Sequence, residues 1–151
     1  MARAVGRVGA SPAAKLGHEY DRQLVRPGHL PAAQDPVHFR LPEGIDLPAV
    51  IGEFHFGALD RGMFHPGLRP TADQQARAAA YRSYVHGAMR NPCLVGTHWF
   101  QYGDQATTGR GDGENYQIGL VDVCDTPYPE IIAACREVGY AMYRLRWDEK
   151  H

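Results

Sequence analysis

Two short apolar runs, separated by one helix-forming segment, constrain the fold of this chain more than any other feature of its sequence. The runs are residues 49–54 and 93–100, and each has the length of a strand and is apolar at nearly every position. This pattern is typical of parallel strands that are covered on both faces. Strands that alternate with helices form right-handed βαβ units. The sequence therefore predicts an α/β fold with a parallel sheet, and two such strands need further neighbours.

Both helices are predicted from apolar spacing and from end signals. In residues 72–90, apolar side chains recur three and four positions apart, Thr71 and Gln74 have the spacing of a capping box, and Pro92 follows the end. A second helix is predicted over residues 128–145. The side chains expected to be buried are Ala76, Ala79, Ala80, Tyr84, Val85 and Met89 in the first helix and Ile131, Ala134, Cys135, Val138, Met142 and Leu145 in the second.

The remaining segments are predicted as loops and an irregular lead-in. Residues 57–70 and 101–115 are long glycine-containing loops that follow the two strands, and loops of this length are usually functional or disordered. Residues 1–40 show no period and are dominated by Gly, Pro, Ala and Arg. We expect a loop or disordered segment there, with at most a short helix over 13–24. The domain is expected to span residues 41–151, with a frayed end.

Composition and charge describe an ordinary globular chain. It has 16 basic and 17 acidic residues and a formal net charge of −1, so neither nucleic acid nor an anionic membrane is expected as a partner. No apolar run reaches the ~18–20 residues of a membrane span, and the N-terminus lacks the apolar core of a secretory signal. The three cysteines have no zinc or redox spacing. Cys93 and Cys135 are expected to be small buried residues.

Acidic, imidazole and aromatic side chains occur where both predicted strands end. Glu53 closes the first strand and His55 follows two residues later, while His98 and Trp99 close the second strand. In α/β folds, ligands bind beyond the carboxyl ends of the parallel strands. Barrel enzymes present their catalytic groups from the same ends. The sequence therefore predicts a candidate site at this edge of the sheet.

Three blocks of the sequence resemble the C-terminal portion of the β-agarases, which are retaining glycoside hydrolases with a (β/α)8 barrel. The blocks are residues 51–65, 95–102 and 112–122, within a resemblance that covers about residues 41–146. The resemblance implies that the two strands are the seventh and eighth strands of the barrel. The expected fold class is therefore α/β, a partial TIM barrel consisting of its last two βα units.

The resemblance also implies roles for Glu53 and Trp99, and the positions of other polar residues predict theirs. Glu53 would be the nucleophile, and Trp99 would be the platform under the sugar ring, since an indole tolerates partial exposure. His55 would lie on the same side of the strand as Glu53 and help to keep it ionised. The expected substrate-binding residues are His55, His98, Trp99, Gln101, Asp104, Glu114 and Asn115. Bracing of the loop is the competing role for Glu114 and Asn115.

Retaining hydrolysis needs a second carboxylic acid about 5–5.5 Å from the nucleophile. The resemblance implies that this acid follows an asparagine on the fourth barrel strand, and the chain contains no such strand. Glu114 precedes Asn115 and lies after the eighth strand, so it is not assigned as the acid. The predicted function is a fragment of a retaining glycoside hydrolase that acts on an agarose-like galactan and has little or no activity by itself.

Other interpretations stay open. The chain could be a non-catalytic carbohydrate-binding or assembly fragment that uses Trp99 without Glu53, or a truncated gene product without independent activity. Open strand edges would favour pairing with the missing half of the barrel or with a second copy. No cofactor is expected. The polysaccharide, endo or exo action and the localisation stay undetermined, although enzymes of this type are often secreted.

A metal site is the weakest alternative. Four side chains near the strand ends are of metal-binding types, namely Glu53, His55, His65 and His98. However, no two histidines have the spacing of a known zinc motif. No metal is therefore expected.

Overall fold

The computed structural model describes residues 35–148, which form a two-stranded parallel sheet and two long helices. The elements in chain order are a 3₁₀ turn at Pro36–His38, strand β1 at Ala49–Phe54, helix α1 at Gln74–Arg90, strand β2 at Leu94–Trp99 and helix α2 at Pro129–Asp148. The predicted βαβ order with parallel strands is confirmed. The short helix predicted over 13–24 lies outside the described residues. Within residues 35–148, neither helix is long and apolar enough to cross a membrane.

The two strands pair in parallel, but their pairing is irregular near the end of β1. Phe54 is the partner of Trp99, and a register shift separates Ile51 from Phe54. The shift interrupts the usual alternation of side chains between the two faces. As a result, Gly52 and Glu53 are both exposed, whereas Ile51 and Phe54 are buried. β1 has the predicted bounds, and β2 is one residue shorter at each end than predicted.

The sheet packs against α1, and part of its apolar surface stays exposed. The buried cluster on the packed face consists of Ile51, Phe54, Ala88 and Leu94. The Phe54 ring stacks on Tyr84 with 4.5 Å between ring centres. Outside this cluster, Val50 is 44% exposed, and Val95, beside the two helices, is 62% exposed. The sequence predicts strands that need further neighbours, and these exposed valines leave apolar surface for another layer.

Helix α1 begins two residues later than predicted. Its N-cap is Asp73, whose side chain accepts a hydrogen bond from the Ala76 N–H at 2.8 Å. The expected capping box is wrong, because the Thr71 hydroxyl donates instead to the Gly57 carbonyl at 3.0 Å. Asp and Thr are both strong N-cap residues, and here the residue adjacent to Gln74 has that role.

The buried faces of both helices differ from the predicted stripes. The buried residues of α1 are Gln74, Arg77, Ala78, Gly87 and Ala88. Ala79, predicted to be buried, is exposed, because Gln74 and Arg77 face the loops that follow the strands. The buried residues of α2 are Ile131, Ala134 and Val138. These three were predicted, but Met142 is 39% exposed.

Helix α2 extends three residues beyond its predicted end, and its last turn is anchored rather than frayed. Three backbone carbonyls at the end of α1 accept hydrogen bonds from the guanidinium of Arg146: those of Met89, Asn91 and Pro92. The arginine therefore ties the ends of the two helices together. Cys93, beside this turn, and Cys135, on α2, are half-buried rather than fully buried.

Residues 35–39, predicted as lead-in, pack against the same unit. The Asn91 side-chain amide donates to the carbonyls of Pro36 and Phe39 at 2.7 and 2.8 Å. The Asp35 carboxylate accepts the Val37 N–H at 3.0 Å and so caps the 3₁₀ turn. These bonds link the turn to the connection between α1 and β2.

Candidate functional site

The candidate site lies beyond the carboxyl ends of β1 and β2, where two long loops meet. The first loop joins β1 to α1 and the second joins β2 to α2. Their backbones touch in an isolated bridge between His65 and Tyr116. The Gln117 N–H donates to the His65 carbonyl at 2.7 Å. The two loops therefore form one connected surface above the strand ends.

Glu53 occupies the exposed end of β1. The Phe100 N–H, just after β2, donates to the Phe54 carbonyl at 3.0 Å, so both strand ends lie side by side. From the second loop, the Arg110 guanidinium lies 5.7 Å from the centre of the Phe100 ring. A hydrogen bond to Asp112 raises the pKa of Arg110, and the negative charge of Glu53 contributes to the same shift. The Arg110 guanidinium is therefore within electrostatic reach of the Glu53 carboxylate.

Trp99 lies at the end of β2 in contact with the aromatic side chains under α1. Its ring meets the Phe54 ring edge-on, with 5.2 Å between centres. The indole N–H donates to the Ile118 carbonyl at 3.0 Å, and the Arg77 guanidinium lies 5.5 Å from the ring centre. Trp99 is half-buried. Its orientation is thus fixed by the core, by the second loop and by α1.

A buried arginine joins α1 to both loops. Arg77 is fully buried, and it donates to the Phe56 carbonyl at 2.8 Å and to the Gly119 carbonyl at 2.6 Å. A third bond of 3.0 Å goes to the Gln74 side-chain oxygen. Burial lowers the pKa of Arg77 to about 10, and the negative charge of Asp104 opposes that change. The side chain therefore stays cationic at neutral pH.

Asp104, predicted to bind substrate, organises the second loop. One carboxylate oxygen accepts the N–H groups of Ile118 and Gly119 at 2.9 and 2.7 Å. The other oxygen accepts the Tyr128 hydroxyl at 2.6 Å. Burial, together with this bond, raises the pKa of Tyr128. The protein itself therefore engages both carboxylate oxygens, and Asp104 holds the loop against the start of α2.

Glu114 also braces the second loop. Its carboxylate accepts the Gln105 side-chain amide at 2.8 Å and lies 3.4 Å from the Arg110 guanidinium. The same arginine pairs with Asp112, and the hydrogen bond between them lowers the pKa of Asp112 to about 2. The contacts of Glu114 are therefore those of a residue that braces the loop, which is the alternative to its predicted role in substrate binding.

The other predicted substrate-binding residues are more accessible. His98 is exposed on β2, and Asn115 is half-buried in the second loop. The Gln101 side-chain amide donates to the Gly103 carbonyl at 3.2 Å. The peptide bond between Phe100 and Gln101 is cis. His98 and Gln101 lie at the point where the chain leaves β2.

His55 is buried and does not hold Glu53. Its Nε2 accepts the Leu68 N–H at 2.9 Å, and its buried Nδ1 has no hydrogen-bond partner among the described residues. Neither nitrogen therefore bonds to Glu53, and the prediction that His55 stabilises that carboxylate is wrong. Burial lowers the pKa of His55 to about 4, so the ring is neutral at pH 7.

Sequence reasoning missed the buried polar residues that connect the loops. They are Gln74, Arg77, Gln105 and Gln117. The Gln117 side-chain oxygen accepts from the Ala58 N–H at 2.9 Å, which links the second loop to the first. The available signal was helical spacing: Gln74, Arg77 and Tyr81 lie three and four residues apart and share one side of α1.

A metal centre is not formed by the described residues. Within 35–148, no group of three His, Cys, Asp or Glu side chains lies close enough together to hold a metal ion. Of the four side chains considered above as metal ligands, His55 is buried and uses its Nε2 as an acceptor, while Glu53, His65 and His98 are exposed.

Comparison with known proteins shows which proteins contain a unit similar to this one. The chain is 48% identical over 106 residues to β-agarase B of Vibrio sp. (strain JT0107), which is 70% of this chain and 11% of that protein. It is 48% identical over 102 residues to β-agarase A of the same strain, covering 67% of this chain and 10% of that protein. No protein-family model matches the chain.

Comparison with solved structures also finds agarases. An exo-β-agarase matches 66% of this chain and 14% of its own length, with 51% identity and a TM-score of 0.64. A second agarase matches 66% of this chain and 16% of its own, with 48% identity and a TM-score of 0.64. The chain is therefore homologous over about two thirds of its length to β-agarases, and the resemblance predicted from the three sequence blocks is confirmed. It spans about a tenth of the length of the Vibrio relatives.

Proposed function

We propose that this chain supplies the last two βα units of a retaining glycoside hydrolase that acts on agarose-like galactans, with β1 and β2 as the seventh and eighth strands of a (β/α)8 barrel. The proposal depends on one observation, the exposed carboxylate of Glu53 at the carboxyl end of a parallel strand. Barrel enzymes assemble their sites from such strand ends. The homology to agarases supplies the substrate class.

In the proposed reaction, Glu53 attacks the anomeric carbon of the sugar. The bond to the leaving oxygen breaks, a glycosyl-enzyme intermediate forms, and water then hydrolyses it. A second carboxylic acid, about 5–5.5 Å away, protonates the leaving oxygen. That acid would come from a part of the barrel outside these 151 residues. The Arg110 guanidinium, which interacts electrostatically with Glu53, would lie beside the proposed nucleophile.

The predicted binding residues divide into two groups under this proposal. Trp99 serves as the sugar platform through the part of its ring that the core leaves accessible, and the accessible polar side chains bind hydroxyl groups. These are His98, Gln101 and Asn115. Asp104, Glu114 and His55 act indirectly, because their contacts order the loops that carry the first group.

Exposed apolar surface supports a larger barrel around the described unit. A cleft of about 490 Å³ lies between α1, β2 and α2 and is lined by Val95, Ala88 and Tyr143, among others. Val95 and Tyr143 are 62% and 84% exposed. Parallel sheets are normally covered on both faces. The missing part of the barrel is therefore the proposed partner of this surface, and the isolated chain is expected to have little or no activity.

A chimera tests the proposal. The segment of β-agarase B that matches this chain is replaced by the corresponding residues of the chain, and release of reducing sugar from agarose is measured. The chimera should be active, and Glu53→Gln should reduce its kcat on the order of 10⁴-fold, since a nucleophile is lost. The isolated chain should release no sugar above background.

Glu43→Gln is the matched control for this experiment. Glu43 is exposed in the turn that precedes β1, near the opposite end of the strand from the proposed site. Its amide variant should keep the activity of the chimera. An active Glu53→Gln chimera, or agarose cleavage by the isolated chain that survives this substitution, would refute the assignment of the nucleophile.

A further inference from the structure

A stacked pair of aromatic rings lies in the loops beyond the end of β1. His65, from the first loop, and Tyr116, from the second, have ring centres 4.7 Å apart and ring planes inclined by 27°. The backbone bond from Gln117 to the His65 carbonyl joins the loops at the same point. We refer to these two side chains as the His65–Tyr116 ledge. Both loops hold it in position.

The exposed ring of the ledge has a defined donor. His65 is exposed, and its Nδ1 accepts the Gly67 N–H at 3.0 Å. A neutral imidazole that accepts at one nitrogen carries its proton on the other. Nε2–H is therefore the donor of the His65 ring. Gly67 reaches the ring with a φ of +71°, a conformation that favours glycine.

The inner ring of the ledge, that of Tyr116, lies next to a buried ring. Tyr116 is half-buried, and its ring centre lies 6.0 Å from that of the buried His55. Burial and a hydrogen bond to Glu114 raise the pKa of the Tyr116 phenol. Beside the outer ring, Phe64 is 66% exposed. The rings of His55, Tyr116 and His65 thus form a row that runs outward from the strand end.

We infer that the His65–Tyr116 ledge binds a pyranose unit of the polysaccharide at a position separate from the bond cleaved at Glu53. The inference rests on the proposed function, which supplies the class of ligand. The C–H face of a pyranose packs on an aromatic ring, and a sugar hydroxyl accepts the His65 Nε2–H. Rings that are already ordered lose little conformational entropy on binding. A fixed aromatic pair whose outer ring is exposed therefore suits a weakly held sugar unit.

Titration of the ¹⁵N-labelled chain with an agarose-derived hexasaccharide tests the inference. The side-chain resonances of His65 should shift with saturation. His65→Ala should weaken binding about tenfold, while His65→Phe, which keeps an aromatic ring but removes the donor, should weaken it about threefold to fivefold. His38→Ala is the matched control, because His38 is an exposed histidine on the 3₁₀ turn, and its affinity should equal that of the wild type.

The outcomes separate this inference from the proposed function. Glu53→Gln should retain the binding and the His65 shifts, because the ledge does not use that carboxylate. Binding that is unchanged in His65→Ala, with unmoved His65 resonances, overturns the ledge and leaves the proposed nucleophile intact. Absence of any binding by the wild-type chain overturns the ledge as well. If the chimera that retains Glu53 does not cleave agarose while the labelled chain binds the hexasaccharide through His65, only the proposed function is contradicted.

Discussion

The guanidinium of Arg77 lies 5.5 Å from the centre of the Trp99 ring and 5.4 Å from that of Tyr128. It also donates to the carbonyls of Phe56 and Gly119. One side chain of α1 therefore contacts the ends of both strands and the second loop. A cation over an aromatic face is attracted by the ring quadrupole, more strongly when desolvated. The position of Trp99 consequently depends on a helix residue that has no direct access to the proposed substrate.

Replacing Arg77 with methionine should lower the free energy of unfolding by about 3–5 kcal/mol. Methionine fills much of the same space, but two buried carbonyls lose their donor, and unsatisfied buried groups are costly. Urea denaturation followed by circular dichroism measures the change. Arg82→Met is the control, because Arg82 pairs with Glu137 on the surface and should change stability by less than about 1 kcal/mol. Equal losses in the two variants would contradict the role of Arg77.

Gly57→Ala should destabilise the protein by about 3 kcal/mol or more. A Cβ at this position would lie 2.1 Å from the Pro66 carbonyl oxygen and 2.3 Å from that of Gln117. Both atoms belong to the backbone, so the two loops would have to separate. Gly52→Ala is the matched control in the same region, since nothing lies within 4 Å of its added Cβ. Thermal unfolding of both variants should show a large decrease for Gly57→Ala and little change for Gly52→Ala.

Stability should fall as the pH is lowered from neutral, because of His55. Burial lowers its pKa from 6.5 to about 4, so between these values the unfolded chain binds a proton that the folded chain does not. The unfolded state is therefore favoured as the pH falls. The contribution of His55 to the free energy of unfolding is complete above pH 6.5 and is lost progressively toward pH 4. Between pH 7.5 and 5 the loss is about 2 kcal/mol for this group.

His55→Gln provides the comparison for this pH dependence. Glutamine can accept the Leu68 N–H that His55 accepts at 2.9 Å, but it does not titrate. Urea denaturation at pH 7.5, 6 and 5 should show that the free energy of unfolding decreases less for the variant than for the wild type as the pH falls. His38→Gln should retain the wild-type decrease, because His38 is exposed. Parallel curves for the wild type and His55→Gln would show that another group is responsible.

The strands could be predicted from sequence because their signals are local. The apolar run after Pro48 fixes β1, and the parallel pairing follows from the intervening helix. The placement of Glu53 at the exposed strand end also follows from the run itself. The error at His55 has a specific origin. Alternation places residues 53 and 55 on one side, but the register shift between Ile51 and Phe54 interrupts it at the point where the strand ends.

The polar network could not be predicted from local signals. Arg77 is 21 residues from Phe56 and 42 from Gly119, the two backbone carbonyls that satisfy it. Nothing in the helix sequence indicates that these acceptors will be nearby. In the same way, Asp104 is a reasonable ligand for a sugar hydroxyl until the folded loop brings Ile118 and Gly119 to its oxygen. Burial of a charged group depends on distant partners, and single-sequence patterns do not report them.

Arg146→Met should lower the free energy of unfolding by about 1.5–3 kcal/mol and loosen the turn between α1 and β2. The guanidinium donates to three carbonyls in that turn, and hydrogen bonds to a charged group contribute in this range. Amide exchange at Asn91 and Leu94, whose N–H groups bond within the turn, should accelerate. Arg144→Met is the control: Arg144 is exposed on the same helix, and its loss should change stability by about 0.5 kcal/mol or less. Similar exchange rates in the two variants would mean that α2 is held by its apolar face alone, through Ile131, Ala134 and Val138.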